Sequence, residues 1–209
     1  LPICIICEIE LELVLKAEGL LTVMAFFPSE GGAIRFVRDA RGDFSKDQER
    51  IIDPMSLEYF DSKSLNLLMG ERNTSSDIPL IPYNAKAAIL FEQEYSEEDL
   101  EDIYLGWDEL LGNYGSSMEE TWGGLDERSL ERIKKVRHAL PEAVNSIISN
   151  RKREYPEIYK MGTDMAVPNE YLEDMIEFYK KRCQEERLEH VIFGHIGDNH
   201  LHVNILPKT

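Results

Sequence analysis

The sequence predicts an α+β fold in which helices pack on one face of a mainly antiparallel sheet. Three observations carry that expectation. Short stretches alternate apolar and polar residues as half-buried strands do, other segments repeat apolar residues at three- and four-residue steps as amphipathic helices do, and the two kinds of segment alternate along the chain.

Taken in order, Ile3 to Lys16 is apolar and β-branched, interleaved with Glu8, Glu10 and Glu12, the pattern of a first strand. Leu20 to Phe27 is an apolar run ended by Pro28-Ser29-Glu30, and Ser29 is a ready N-cap for a helix through about Arg41. Met55 to Asp61 alternates again, Ser64 to Met69 reads as a short helix, and Asn73 to Asn84 reads as a loop. Ala87 to Tyr95 is another strand, followed by an acidic helix from Glu97 to about Leu111. Leu130, Ile133, Val136, Leu140, Val144 and Ile147 mark an amphipathic helix over Leu125 to Asn150, with a break expected near Pro141. Tyr171 to Glu186 repeats the helical pattern, and Val191 to Leu206 closes the chain with strand alternation.

The composition bounds the function. The 209 residues are 43% hydrophobic and 30% charged, enough for a globular core. Forty acids against 23 Lys and Arg give a net charge of −17, which argues against a nucleic-acid or anionic-membrane surface. No apolar stretch approaches the roughly 20 residues of a membrane span. Three cysteines, Cys4, Cys7 and Cys183, are too few for a disulfide scaffold and point to a reducing compartment, the cytoplasm.

Three of the five histidines crowd into Phe193-Gly194-His195-Ile196-Gly197-Asp198-Asn199-His200-Leu201-His202-Val203-Asn204. If Asp198-Asn199 is a two-residue hairpin loop, His195 pairs with His202 and Ile196 with Leu201. Ile192, Ile196, Leu201, Val203 and Ile205 then share one apolar face, and Phe193, His195, His200, His202 and Asn204 the other. Opposed residues have Cβ atoms about 4.5–5.5 Å apart, close enough for two imidazoles to meet on one metal ion. On a helix the same pair would be separated by about 10.5 Å of rise. Two histidines leave the ligand set short of a carboxylate, for which Asp198 at the loop tip points poorly, so the third ligand is expected elsewhere. The alternative is a hairpin face merely decorated with histidines.

The segment Gly194 to Asn204 resembles the Gly-His-x-Gly-Asp-Gly-Asn-x-His-x-Asn signature of FAD-linked oxidases of the vanillyl-alcohol-oxidase type, in the group of D-lactate dehydrogenase, the glycolate oxidase D-subunit and D-2-hydroxyglutarate dehydrogenase. Asn199-His200 stands where that signature has Gly-Asn. Thr163-Asp164-Met165-Ala166-Val167-Pro168 resembles the family's Asp-x-Ser/Ala-Val-Pro strand end, and Ile6 to Lys16 the last strand of its FAD-binding domain. The resemblance implies that residues 1–18 are the end of a truncated FAD-binding domain and 19–209 a ferredoxin-like C-terminal cap domain, itself cut short. His195 and His202 would bind a divalent metal such as zinc, manganese or iron, with the third ligand a Glu in a later Glu-His-Gly segment beyond Thr209. Asn204 would lie by flavin and substrate, Arg137 would hold the substrate carboxylate, and His200 or a downstream His would be the base. The implied activity is oxidation of a 2-hydroxy acid of the D-lactate or glycolate type, with FAD as hydride acceptor. The partners would be the FAD-binding domain of the same chain and an electron-acceptor protein, and the 209 residues alone would be inactive and colourless.

A solvated helix charge is the plain alternative for Arg137, which stands beside Arg132, Lys134 and Lys135. Pro141 occurs where many relatives carry a hydroxyl residue, and Lys160 is two positions farther from Asp164 than the substrate lysine of the hydroxyglutarate enzymes. Cys4-x-x-Cys7 reads as a buried strand pair, Gly31-Gly32 as a helix start, and the nine acids of Glu92–Glu109 as a strand end and a solvated helix face. The competing functional class is a non-catalytic ferredoxin-like metal-binding or ligand-sensing module.

Overall fold

A computed structural model describes residues 7–11, 13, 16–43, 50–72, 78 and 80–208. The elements run β1 (Gly19–Phe27), α1 (Glu30–Arg41), β2 (Ser56–Asp61), α2 (Ser62–Arg72), β3 (Ala87–Tyr95), α3 (Leu100–Gly112), β4 (Trp122–Gly124), α4 (Glu127–Lys152), β5 (Met161–Gly162), β6 (Met165–Ala166), α5 (Leu172–Glu185), β7 (His190–His195) and β8 (His200–Ile205). The strands form one sheet in the order β4-β1-β3-β2-β7-β8-β5, with β6 also on β8, and each paired strand is antiparallel to its neighbour. The fold class is the α+β expected. β3 lies between β1 and β2, so β1 and β2 run parallel and α1 connects them as a split β-α-β unit.

Helices cover both faces of the sheet, where the sequence suggested one. Val23, Ala25 and Phe27 of β1 and Ile89 and Phe91 of β3 pack with α1, α3 and α5. The intervening Met24, Phe26, Ala88 and Leu90 pack with Leu65 and Leu68 of α2 and with Ile133, Val136 and Leu140 of α4. The unbroken apolar runs of β1 and β3 are what burial on both sides demands of a strand, and that run-on pattern was the sign of a second helical layer.

The helix ends follow local chemistry. The Ser29 hydroxyl accepts from Gly32 N at 3.0 Å, and α1 ends at Gly42 in the left-handed region with φ 78°. Asp61 Oδ1 accepts from Ser64 N at 2.7 Å and starts α2 directly from the end of β2. α4 continues through Pro141 without the expected break. Proline lacks the N–H that the Arg137 carbonyl would otherwise receive, yet Leu140 and Val144 on either side are both 0% exposed, and this burial holds the turn in register.

Of the first expected strand, residues 3–6, 12, 14 and 15 lie outside the described set, as does Cys4 of the Cys4-x-x-Cys7 pair. Among the described residues of that stretch, Ile9 is 67% and Leu11 74% exposed, and none is in a strand. In the loop before β3, residues 73–77 and 79 are also outside it, while Ile78 and Ile81 are buried against the α2–α4 layer. Cys183 is a buried thiol, raised above its ordinary range by desolvation. No helix among the described residues is long and apolar enough to cross a membrane.

Just beyond α3, the Tyr114 hydroxyl donates to Asp39 Oδ2 of α1 at 2.5 Å. Burial first, and the Asp39 carboxylate second, push its pKa from 10.0 up to about 12. The unfolded chain therefore loses this proton before the folded one does, and stability should fall as pH rises from about 10 towards 12. Denaturant midpoints over that range should fall less steeply in Tyr114→Phe.

Candidate functional site at the β7–β8 hairpin

The hairpin has a longer turn than the sequence suggested. Ile196–Asp198 forms a single 3-10 turn and Asn199 takes the left-handed conformation at φ 53°. The pairing is therefore His195 with His200, Gly194 with Leu201 and Phe193 with His202, two residues away from the expected register. The cause is Ile196, which is wholly buried in the core beneath α1 instead of continuing β7. Arg41 at the end of α1 locks the turn, donating to Gly197 O at 3.1 Å and Asn199 Oδ1 at 2.6 Å. Asparagine is one of the few side chains that tolerate a left-handed position, which accounts for Asn199 where the resembling family has glycine.

A shift of two residues preserves strand parity, so the face assignment survives the change of register. Phe193, His195, His200, His202 and Asn204 all point to the α2–α4 side. Ring centroids lie 4.7 Å apart for His200 and His202, 5.9 Å for His195 and His202, and 6.0 Å for His195 and His200. Gly194 makes this packing possible. It adopts φ +141°, and a Cβ there would stand 2.9 Å from His202 Cδ2 and 3.0 Å from His200 O. Gly194→Ala should cost about 1–3 kcal/mol and displace the His202 ring, read as a drop of several degrees in the melting temperature.

The acceptors around each ring fix its protons. His202 Nδ1 donates to the Thr163 carbonyl at 3.0 Å and His195 Nδ1 to Glu58 Oε1 at 2.7 Å, so each neutral ring presents Nε2 as its ligating nitrogen. This is the arrangement of metal-binding histidines, whose second nitrogen is held by a carboxylate or a carbonyl. His200 Nε2 donates to Asp164 Oδ1 at 2.8 Å. Among the described residues one group of three ligating side chains has its donor atoms within 4.8 Å of one another, and it is Asp164, His200 and His202. A carboxylate therefore stands within this chain next to His202, where the sequence reading expected the third ligand only beyond Thr209. Asp198 is exposed at the turn, off the site, as expected.

Beside the histidines is a cleft of about 370 Å³ between the hairpin, β2 and α4. Arg137 of α4 reaches it, together with His195, His202 and the buried Asn204, and Lys160 stands on its rim. His200 borders His202 but does not line the cleft. The cleft also holds a residue that the sequence reading missed. Glu58 of β2 is 5% exposed, and its Oε1 accepts from Arg137 Nη2 at 2.5 Å as well as from His195. The sign was in the strand pattern, because Glu58 alternates with Leu57 and Tyr59 and shares its face with Phe60, an apolar surroundings that a lone carboxylate avoids.

Comparison with known proteins accords with this geometry. No curated protein matches the chain. Two solved structures titled alkyldihydroxyacetonephosphate synthase share the fold, at TM-scores of 0.59 and 0.57 with 6% and 9% sequence identity. Each match covers 90% of this chain, which spans only 36% and 35% of theirs. The family model described as "FAD linked oxidases, C-terminal domain" matches residues 18–208. The chain belongs to the family of FAD-linked oxidase C-terminal domains.

Proposed function

We propose that this domain supplies the substrate and metal contacts of a cytoplasmic FAD-dependent enzyme that oxidises a 2-hydroxy acid, of the D-lactate or glycolate type, to the 2-oxo acid. The observation that carries the reading is the cleft in which the Arg137 guanidinium and the two imidazoles of His195 and His202 face the same space. Arg137 would hold the substrate carboxylate. Glu58 touches the guanidinium through one oxygen only, so the remaining N–H groups are left to grip a second carboxylate. His195 and His202 would hold a divalent cation through Nε2, and their outward lone pairs fit that role. A bound cation supplies Lewis acidity that makes the α-hydroxyl easier to deprotonate. FAD, held chiefly by an FAD-binding domain of the same chain, supplies the hydride acceptor, and Asn204 would border flavin and substrate. His200, whose Nε2 is held by Asp164, or a downstream histidine would be the base for the hydroxyl proton. An electron-acceptor protein would reoxidise the flavin.

A second reading has its own support. The grouping of Asp164, His200 and His202 would hold the ion one step outside the cleft, as expected of a metal-binding module that activates no substrate. Anaerobic mixing of the full-length flavoprotein with a panel of 2-hydroxy acids separates the two. Bleaching of the flavin by the acids, and not by alcohols lacking a carboxylate, is the expected result. Equal bleaching by acids and alcohols, or none by any acid, would overturn the oxidase reading.

A further inference from the structure

We infer that Glu58 is a positioning residue that fixes both the ligating imidazole of His195 and the anion-binding guanidinium of Arg137. Its Oε1 accepts hydrogen bonds from His195 Nδ1 at 2.7 Å and from Arg137 Nη2 at 2.5 Å. One oxygen atom thereby joins the two groups assigned to the metal and to the substrate. β2 and β7 are paired at Tyr59 with Gly194 and Phe60 with Phe193, and the same register sets Glu58 across from His195. The link is therefore built into the sheet and does not depend on a loop.

A carboxylate that is 5% exposed, beside Phe60 and Phe193 on its own face, is expensive to keep. Ion pairs in such surroundings are often replaceable by apolar side chains at no loss of stability, so burial alone gives no reason for a glutamate here. What an apolar residue could not do is choose a tautomer. By accepting from Nδ1, Glu58 holds the proton there and leaves Nε2 of His195 as the ligand atom, the relation that tunes affinity by 10–100-fold at histidine metal sites. By accepting from a single guanidinium nitrogen, it also turns the rest of the Arg137 fork towards the cleft. Removing Glu58 should therefore weaken metal binding and substrate capture together, although it need touch neither ligand.

This inference rests on the assignment of His195 to the metal and Arg137 to the substrate carboxylate, and the test separates the two levels. Full-length Glu58→Ala and Glu58→Gln are titrated with zinc, and KM and kcat are measured with the best acid of the panel. Glu58→Ala should weaken zinc binding roughly 10–100-fold and raise KM more than it lowers kcat. Glu58→Gln, which keeps one acceptor oxygen and the shape, should recover part of both. If Glu58→Ala fails to fold, Glu58→Gln carries the test, with its loss in zinc affinity and rise in KM as the required result. Zinc affinity and KM within twofold of wild type in the folded variants would overturn the role of Glu58. Wild-type protein that binds no zinc would overturn the metal assignment and this inference with it, whereas zinc binding lost in His195→Ala and kept in Glu58→Ala would overturn the inference alone.

Discussion

Replacing Arg137 by Met should lower kcat/KM for a 2-hydroxy acid about 100- to 1,000-fold, carried mainly by KM. The guanidinium is the cation of α4 that reaches the cleft, and its side chain is 43% exposed there, available to a ligand while anchored on Glu58. Losing one partner of a hydrogen-bonded charge pair costs about 2–5 kcal/mol, and each 1.36 kcal/mol is tenfold in rate. Arg137→Lys should recover little, because a single ammonium cannot bridge Glu58 and grip a carboxylate bidentately. Steady-state kinetics with the acid, set beside thermal melting of the variant, decide the matter. A rise in KM at an unchanged melting temperature identifies Arg137 as the carboxylate site, and a kinetic loss that comes with a lowered melting temperature assigns it to packing.

The second large effect is on stability. Trp107 of α3 is 0% exposed and stacks on Phe91 with ring centroids 4.0 Å apart and planes 23° apart. Its Nε1 donates to Gln93 Oε1 at 2.9 Å, and Gln93 in turn accepts from Asp53 N at 3.0 Å and donates to Ile51 O at 2.7 Å. The indole thus closes the aromatic core and completes a buried polar link to the segment before β2. Trp107→Ala should cost about 4 kcal/mol, a fall in melting temperature of roughly 8–16 °C for a domain of this size. Trp107→Phe should cost less than half as much, because it keeps most of the stacking and the Gln93 oxygen still accepts from Asp53 N. Neither should change KM, since Trp107 packs on the face of the sheet opposite the cleft.

Much of this architecture was legible in the residues because local rules and tertiary packing agree. The Ser29 cap, the Ala87–Tyr95 strand and the periodic face of α4 all appear where the pattern sets them. What misled was context. Pro141 marks a helix break where nothing packs the turn, and here Leu140 and Val144 of the same helix are buried. Asp198-Asn199 marks a two-residue turn, but the core draws Ile196 inward and lengthens the connection to four residues. The histidine face survived that change because strand parity is insensitive to an even shift. Glu58 shows in the sequence only as a carboxylate on an apolar strand face, and neither it nor Asp164 could be joined to the hairpin, since a single sequence carries no sign of which strand lies beside which. Arg137 could be named only through the family resemblance, because a guanidinium among helix charges looks the same whether it faces solvent or a cleft.

His202 is the one side chain shared by the cleft and by the Asp164–His200–His202 grouping, so its removal tests the account at its centre. The measurement is single-turnover reduction of the flavin by a 2-hydroxy acid, under anaerobic conditions, in full-length wild type and His202→Ala. The expected result is unchanged flavin content with reduction slowed at least about 100-fold, the usual scale for losing one positioned catalytic group. Reduction of His202→Ala at the wild-type rate would contradict the assignment of this hairpin face as the active site.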